Sequence, residues 1–296
     1  MFAGSFVALI TPFKDGKVDV QKLRGLVEFQ ITNGTNGLVP CGTTGESVTM
    51  EEEEDQLVIR TVIEVAAKRV PVIAGTGSND TASAIAYTQA AQRLGADGAL
   101  LVTPYYNKPT QEGLFRHYEA VAANTDIPLV LYNVPGRTGV NMLPETVARL
   151  ARLDNVVAIK EASGSMDQVS AIVQSCGAGF DVLSGDDSLT LPLLALGGRG
   201  VISVVANIAP APLARMVASF LAGDLRQARE LHYLLFDLCR AMFIETNPIP
   251  VKTAAGLMGL CSPEMRLPLC PMAEANVKKL REAMAAFGLL PVAAGA

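Results

Sequence analysis

Histidine is almost missing from this chain, and its cysteines form no pattern. The two histidines, His117 and His232, stand in separate helical segments of mixed polarity. Each reads as a surface or packing residue, because a metal site needs clustered ligands. The five cysteines (41, 176, 239, 261 and 270) are odd in number, scattered and without a C-x-x-C pair. They fit reduced thiols better than a disulfide framework or a zinc site. No G-x-G-x-x-G and no G-x-x-x-x-G-K-[ST] occurs, which removes the main support for nucleotide binding. A G-x-S-x-G elbow is also missing, and two histidines leave little room for a serine triad.

Basic surplus is lacking too. Against 29 Asp and Glu stand 24 Lys and Arg, a net charge of −5, with no basic stripe. Nucleic acid is therefore not an expected partner. The longest apolar region, around 189–214, is interrupted by Pro192, Gly197, Gly198, Arg199 and Pro210. It is too broken to span a bilayer, and Lys14, Asp15 and Lys17 disrupt any signal-peptide pattern. The expectation is a soluble, cytoplasmic protein without a membrane partner.

What the chain does have is repetition. Its 296 residues are half apolar, enough for one large domain with an appendage. Short apolar strand candidates recur at 5–10, 37–40, 71–74, 98–102, 128–132, 156–160, 180–184 and 200–204. Segments with helical spacing lie between them, among them 21–33, 51–68, 81–94 and 111–123. A strand every ~20–35 residues is the size of a βα unit, and eight such units predict a closed (β/α)8 TIM barrel. The acidic run 51–55 reads as a helix start, with a capping box beginning at Thr49. After about residue 223 the strand pattern stops. The expected division is a catalytic barrel over 1–223 and an all-helical C-terminal domain over 224–296, with 291–296 a frayed tail. Asn247-Pro248-Ile249-Pro250 interrupts the helical part and reads as a rigid turn or something more.

In such barrels the functional groups come from the C-terminal ends of the strands. The sixth candidate, Val156-Val157-Ala158-Ile159-Lys160-Glu161, runs from apolar residues straight into a lysine. Strict alternation would place Val156, Ala158 and Lys160 on one face. Taken alone, Lys160 fits a solvated flank as well as a desolvated, nucleophilic amine. Of the nine lysines, it alone ends an apolar strand, and Lys252 after the proline-rich break is the weaker rival. Tyr132 ends the neighbouring strand at the equivalent level, Thr43-Thr44 between glycines offers a small anion nest, and Arg137 can grip a carboxylate. Each of these has an ordinary structural explanation. Together around one barrel mouth they favour a lysine that captures a carbonyl as an imine.

These residues resemble the 4-hydroxy-tetrahydrodipicolinate synthase family of the pyruvate-dependent Schiff-base aldolases, along essentially the whole chain. The resemblance rests on Gly42-Thr43-Thr44-Gly45-Glu46, Gly75-Thr76-Gly77, Thr103-Pro104-Tyr105-Tyr106, 132–139, Ile159-Lys160-Glu161, Ser184-Gly185-Asp186-Asp187 and 247–252. It implies a lyase of lysine and diaminopimelate biosynthesis that condenses pyruvate with L-aspartate-4-semialdehyde. It further implies that Lys160 forms the imine, while Tyr132, Thr43 and Tyr106 relay protons, Tyr106 from a neighbouring subunit. Thr43 and Thr44 would hold the pyruvate carboxylate and Arg137 that of the semialdehyde, with Gly185 and the Ile202 carbonyl lining the site. No cofactor is implied, and the family is typically a homotetramer built as a dimer of dimers. Two neighbours, N-acetylneuraminate lyases and 2-keto-3-deoxy sugar-acid aldolases, share the lysine and tyrosine. The lyases differ in carrying Gly-Ser-Thr-Gly-Glu and in lacking the arginine. A catalytically silent small-acid-binding barrel is the remaining alternative, yet it would be expected to have lost Lys160 or Tyr132.

The resemblance also implies a possible lysine effector site at Ser47, Asn79 and Tyr105. Inhibited relatives show histidine at the position of Asp55 and glutamate at that of Ser83. Loss of a charge-assisted contact worth ~1.5–3 kcal/mol weakens binding roughly ten- to a hundredfold, so weak or absent lysine feedback is expected.

Overall fold

The protein is described by a computed structural model covering residues 1–291. Most of the expected frayed tail, 292–296, lies outside the described residues. Eight parallel strands form the centre: β1 (Gly4–Ala8), β2 (Gly37–Val39), β3 (Ile73–Gly75), β4 (Gly98–Val102), β5 (Leu129–Asn133), β6 (Val156–Glu161), β7 (Asp181–Ser184) and β8 (Gly200–Ser203). The hydrogen-bonded order runs β2-β1-β8-β7-β6-β5-β4-β3, and a parallel bridge between Leu38 and Val72 closes the ring. The expected (β/α)8 barrel is the observed one. Its strands are mostly apolar because both faces are covered, by helices outside and by packed side chains inside. Polar residues such as Asn133, Lys160, Glu161 and Ser184 gather at their C-terminal ends.

Helices α1 (Val20–Thr32), α2 (Glu52–Ala66), α3 (Thr81–Leu94), α4 (Gln111–Ala123), α5 (Pro144–Leu150), α6 (Met166–Cys176), α7 (Thr190–Ala195) and α8 (Pro210–Leu221) follow the strands in turn. Leu101, Leu131 and Ile159 face this outer layer and pack with Leu114, Val147 and Ile172. Phe6, Ala8, Val39, Ile73, Leu100, Val130, Ala158, Leu183 and Ile202 fill the inside. The barrel is a filled core, so functional groups can gather only at its rim.

Two local expectations need correction. The helix after residue 50 starts at Glu52, and its capping box pairs Glu51 with Glu54. Thr49 is instead spent on the preceding turn, where its hydroxyl donates to the Glu46 carbonyl at 3.0 Å. In β6, pairing slips opposite Leu129 and Val130, so Leu129 meets Val156 while Val130 meets Ala158. The bulge turns Val156 into the outer layer, and only Ala158 and Lys160 keep the inward row.

Beyond the barrel lie α9 (Leu225–Ala241), α10 (Ile249–Leu257) and α11 (Glu274–Phe287), capped at the first by Asp224, which accepts from the Gln227 amide. Leu235, Leu238, Val251, Leu280 and Met284 share one continuous core with Leu23, Val62 and Leu213 of the barrel helices. The extension is welded to the barrel rather than hung from it.

Candidate active site

The inward rows of β5 and β6 set the chemistry. Their register places Tyr132 beside Lys160, and the Lys160 ammonium lies 4.2 Å from the centre of the Tyr132 ring. Only 5% of Lys160 is exposed. Burial lowers its pKa to about 8, opposed by the Asp187 carboxylate and assisted by Arg137. Relative to an ordinary lysine this raises the neutral, nucleophilic fraction at pH 7 by roughly 300-fold. Burial pushes the Tyr132 phenol up to about 12, with Arg137 and the Thr43 hydroxyl pulling the other way. The phenol therefore holds its proton near neutral pH and can donate it to an oxygen arriving beside the amine.

The turn after β2 supplies the small donors. Thr43–Gly45 is a single 3-10 turn, with the Gly45 amide donating to Gly42 and the Glu46 amide to Thr43. Glu46 sits in the left-handed region at φ 57°, unusual for a residue with a Cβ. Its buried carboxylate holds it there, accepting from the Lys252 ammonium at 2.5 Å and from the Arg266 amide at 3.2 Å. Lys252 has no exposed surface and rests 4.0 Å from the Phe13 ring. One turn earlier, the Asn247 side-chain amide donates to the Thr44 hydroxyl at 3.0 Å, while the Asn247 backbone carbonyl accepts from Arg137 at 3.0 Å. The 247–252 segment thus braces both carboxylate-binding candidates.

Arg137 rides on the short helical turn Pro135–Thr138. That loop is tied to β6 through Asn133, which donates to the Glu161 carboxylate at 3.1 Å and accepts from the Met142 amide at 2.9 Å. Gln168 on α6 adds a bond to the same carboxylate at 3.2 Å. Gly185 presses its backbone against the lysine: a Cβ there would stand 3.2 Å from Lys160 Cε and 2.6 Å from Ala162 Cβ. Ile202, on β8, is buried in the interior layer beneath.

Thr43, Tyr132 and Arg137 line one cavity of about 220 Å³, walled by Gly75, Gly77, Leu100 and Val102. It is smaller than the ~300–1,000 Å³ typical of drug-sized sites and suits an acid of a few carbons. Among the described residues no group of three or more His, Cys, Asp or Glu is placed to hold a metal ion.

Of the other expected residues, Tyr106 and Asn79 stay out of the cavity lining, while Ser47 and Tyr105 border it. Tyr106 is 89% exposed at φ 70°, its ring outside the cavity. Ser47 and Tyr105 line both this cavity and a second one of about 230 Å³, which Asp55 also borders. Asn79 contributes a bond to the Tyr105 carbonyl at 3.2 Å. A residue to which sequence reasoning assigned no role is Asp187, whose buried carboxylate accepts from the Val204 and Val205 amides at 3.1 and 2.8 Å. Its sequence signals were its place just past the end of a barrel strand and its membership of the Ser184-Gly185-Asp186-Asp187 motif.

Similarity to known proteins runs over the whole chain. The 4-hydroxy-tetrahydrodipicolinate synthase of Geobacter metallireducens is 62% identical over 290 residues, 98% of this chain and 100% of that protein. A crystal structure of dihydrodipicolinate synthase from Aquifex aeolicus superposes with a TM-score of 0.96 at 52% identity, covering 97% of this chain and 99% of that one. A chloride-inhibited dihydrodipicolinate synthase from Acinetobacter baumannii, solved with pyruvate, gives 0.96 at 49% identity, with 98% and 100% covered. The family model described as "Dihydrodipicolinate synthetase family" matches residues 1–287, and the chain belongs to that family.

Proposed function

We propose that this chain is a lyase that condenses pyruvate with L-aspartate-4-semialdehyde to 4-hydroxy-tetrahydrodipicolinate, a step of lysine and diaminopimelate biosynthesis. The names of its full-length relatives support the substrates, and one observation supports the chemistry. That observation is a buried amine of lowered pKa lying against a buried phenol, the phenol lining a small, largely apolar cavity.

Neutral Lys160 Nζ bonds the carbonyl carbon of pyruvate, and Tyr132 supplies the proton that turns the new alkoxide into a hydroxyl. The carbinolamine takes up a further proton and loses water, leaving an iminium. Loss of a methyl proton gives the enamine, whose carbon attacks the aldehyde of the semialdehyde. The substrate's own amine then displaces Lys160, which returns as a free amine while the ring closes. Thr43 and Thr44 hold the pyruvate carboxylate, Arg137 holds the second one, and backbone atoms of Gly185 and Ile202 line the imine. The bracing of both Thr44 and Arg137 by Asn247 favours a substrate pair bearing two carboxylates over a neutral sugar aldehyde.

Tyr106 enters the relay from a second copy of this chain in a homotetramer. Its 89% exposure and its absence from the lining of its own cavity support that assignment. No helix among the described residues is long and apolar enough to cross a membrane, and a cytoplasmic location fits a biosynthetic role. Lysine feedback is weak or absent. Ser83, where a carboxylate would be needed, is bound to the Asp80 side chain at the start of α3. Asp55 could replace it only in part, since burial raises its pKa to about 7 and leaves it half protonated at neutral pH. Strong inhibition at submillimolar lysine would refute this.

The deciding test offers pyruvate with aspartate semialdehyde, N-acetylmannosamine or glyceraldehyde in turn. Turnover is expected with the semialdehyde, and Arg137→Ala should abolish it while borohydride still traps the pyruvate imine on Lys160. Absence of any adduct on Lys160, or faster turnover with a sugar aldehyde, would overturn the assignment.

A further inference from the structure

Lys160 forms no salt bridge among the described residues, although the iminium it becomes carries a full positive charge throughout its lifetime. A buried cation without a counter-charge is costly, and electrostatic aid is worth most where water is excluded. One carboxylate is built into the same end of the barrel and has no assigned work. Asp187 stands two residues after Gly185, the glycine whose backbone lies against the Lys160 stem. It is 3% exposed. Its Oδ2 is fixed by two amides at the end of β8, while its Oδ1 is buried without any partner. Two directed amide bonds are a strong arrangement for keeping a carboxylate ionised in a dry place.

We propose that Asp187 is the fixed counter-charge of the Lys160 iminium, a positioning residue that favours the charged intermediate over the neutral amine. This rests on the imine chemistry proposed above. The charge sequence at the nitrogen explains why such a group helps one step and opposes another. Neutral amine and ketone combine to a neutral carbinolamine, which gains a proton and loses water to become the cation. The cation then loses a methyl proton to the relay and is neutral again as the enamine. An anion nearby raises the population of the cation, the only species acidic enough at its methyl group to form the enamine. The same anion keeps the resting amine more protonated, in the direction Asp187 acts on Lys160.

Other charged groups face this site and have to be weighed. Arg137 pushes Lys160 the other way. Asp186 lies beside Asp187, and Cys239 on α9 feels both carboxylates. Asp237, Arg240 and Lys279 border the open groove behind Asp186. None of them offers a second buried carboxylate at the lysine.

The test is Asp187→Asn, which keeps the shape and an acceptor for the two amides. The pH at which cyanoborohydride trapping of the pyruvate imine is half-maximal should fall by about one unit, since removing an opposite charge within reach shifts a pKa by ~1–3. Exchange of pyruvate methyl protons into deuterated water, counted per trapped imine, should slow at least tenfold. Trapping at neutral pH should therefore rise while exchange per imine falls, and that opposition is the signature, because a loosened fold would lower both. Should the variant not fold, the wild-type protein gives the same answer. Exchange per imine should drop as pH falls through about 6, where burial sets the Asp187 pKa. Unchanged readouts in the variant, a parallel loss of both, or flat exchange across that range would overturn the counter-charge. Failure of wild-type trapping would instead overturn the imine itself.

Discussion

Replacing Lys252 by methionine tests how the turn bearing Thr43 and Thr44 is held. The wild-type ammonium lies 2.5 Å from Glu46, with side chains 0% and 1% exposed, across 206 residues of chain. Methionine fills nearly the same volume and keeps the contact with Phe13, so the change isolates charge. It leaves the Glu46 carboxylate buried with the Arg266 amide as its remaining partner. Breaking one side of a buried pair costs ~3–5 kcal/mol. For a chain of this length, with an unfolding entropy near 2.1 cal/mol/K per residue, that lowers the melting temperature by about 5–8 °C.

Thermal unfolding followed by circular dichroism, without pyruvate, measures this directly. Adding Glu46→Gln removes the orphaned charge while leaving an acceptor for the Arg266 amide. The double variant should recover more than half the loss, because two neutral groups avoid the desolvation that the pair had to offset. The pH dependence carries a further sign. Burial holds the Lys252 pKa below its ordinary 10.5 despite the pull of Glu46. The unfolded chain then binds the proton more tightly, so this residue makes stability rise with pH between the lowered value and 10.5. That slope should vanish in Lys252→Met. A single variant within 1 °C of wild type (~0.6 kcal/mol), or a double variant no better than the single, would refute the ion pair as the anchor of the turn.

Three further outcomes follow from the site. Tyr132→Phe keeps the ring beside the ammonium and removes only the hydroxyl, so kcat should fall ~10²–10⁴-fold while the midpoint of the Lys160 titration moves by less than a unit; a tenfold loss or smaller in steady-state turnover would exclude the phenol as relay. Imine trapping by wild type should rise about tenfold per pH unit up to the Lys160 pKa of about 8 and then level off; a rise continuing past pH 10 would mean an unperturbed lysine. Gly185→Ala forces a methyl to 2.6 Å from Ala162 and 3.2 Å from the Lys160 stem, so adduct formation should fall and stability drop by ~1–3 kcal/mol; wild-type trapping, read by mass spectrometry, would show that the stem can move aside.

The barrel was legible in the residues alone, and so was the place of Lys160 at the end of one of its strands. Eight apolar runs at βα spacing leave few other ways to bury strands on both faces, and a lysine closing such a run has only the rim to occupy. Local pattern also placed Tyr132 level with Lys160, because each closes its apolar run and parallel neighbours bring equivalent C-terminal ends together. Alternation misplaced Val156, since the bulge that turns it outward depends on how β6 pairs with β5 and leaves no mark in β6 alone. What holds the site came from the folded chain. Glu46 and Lys252, Thr44 and Asn247, and Arg137 and Asn247 are joined across 110 to 206 residues, and no local periodicity encodes such pairs. Asp187 is one more acid in a loop to the sequence, and only the fold buries it and sets two amides at the end of β8 on one of its oxygens. Composition and spacing fix which groups reach the rim; folding fixes which are desolvated, and desolvation sets their reactivity.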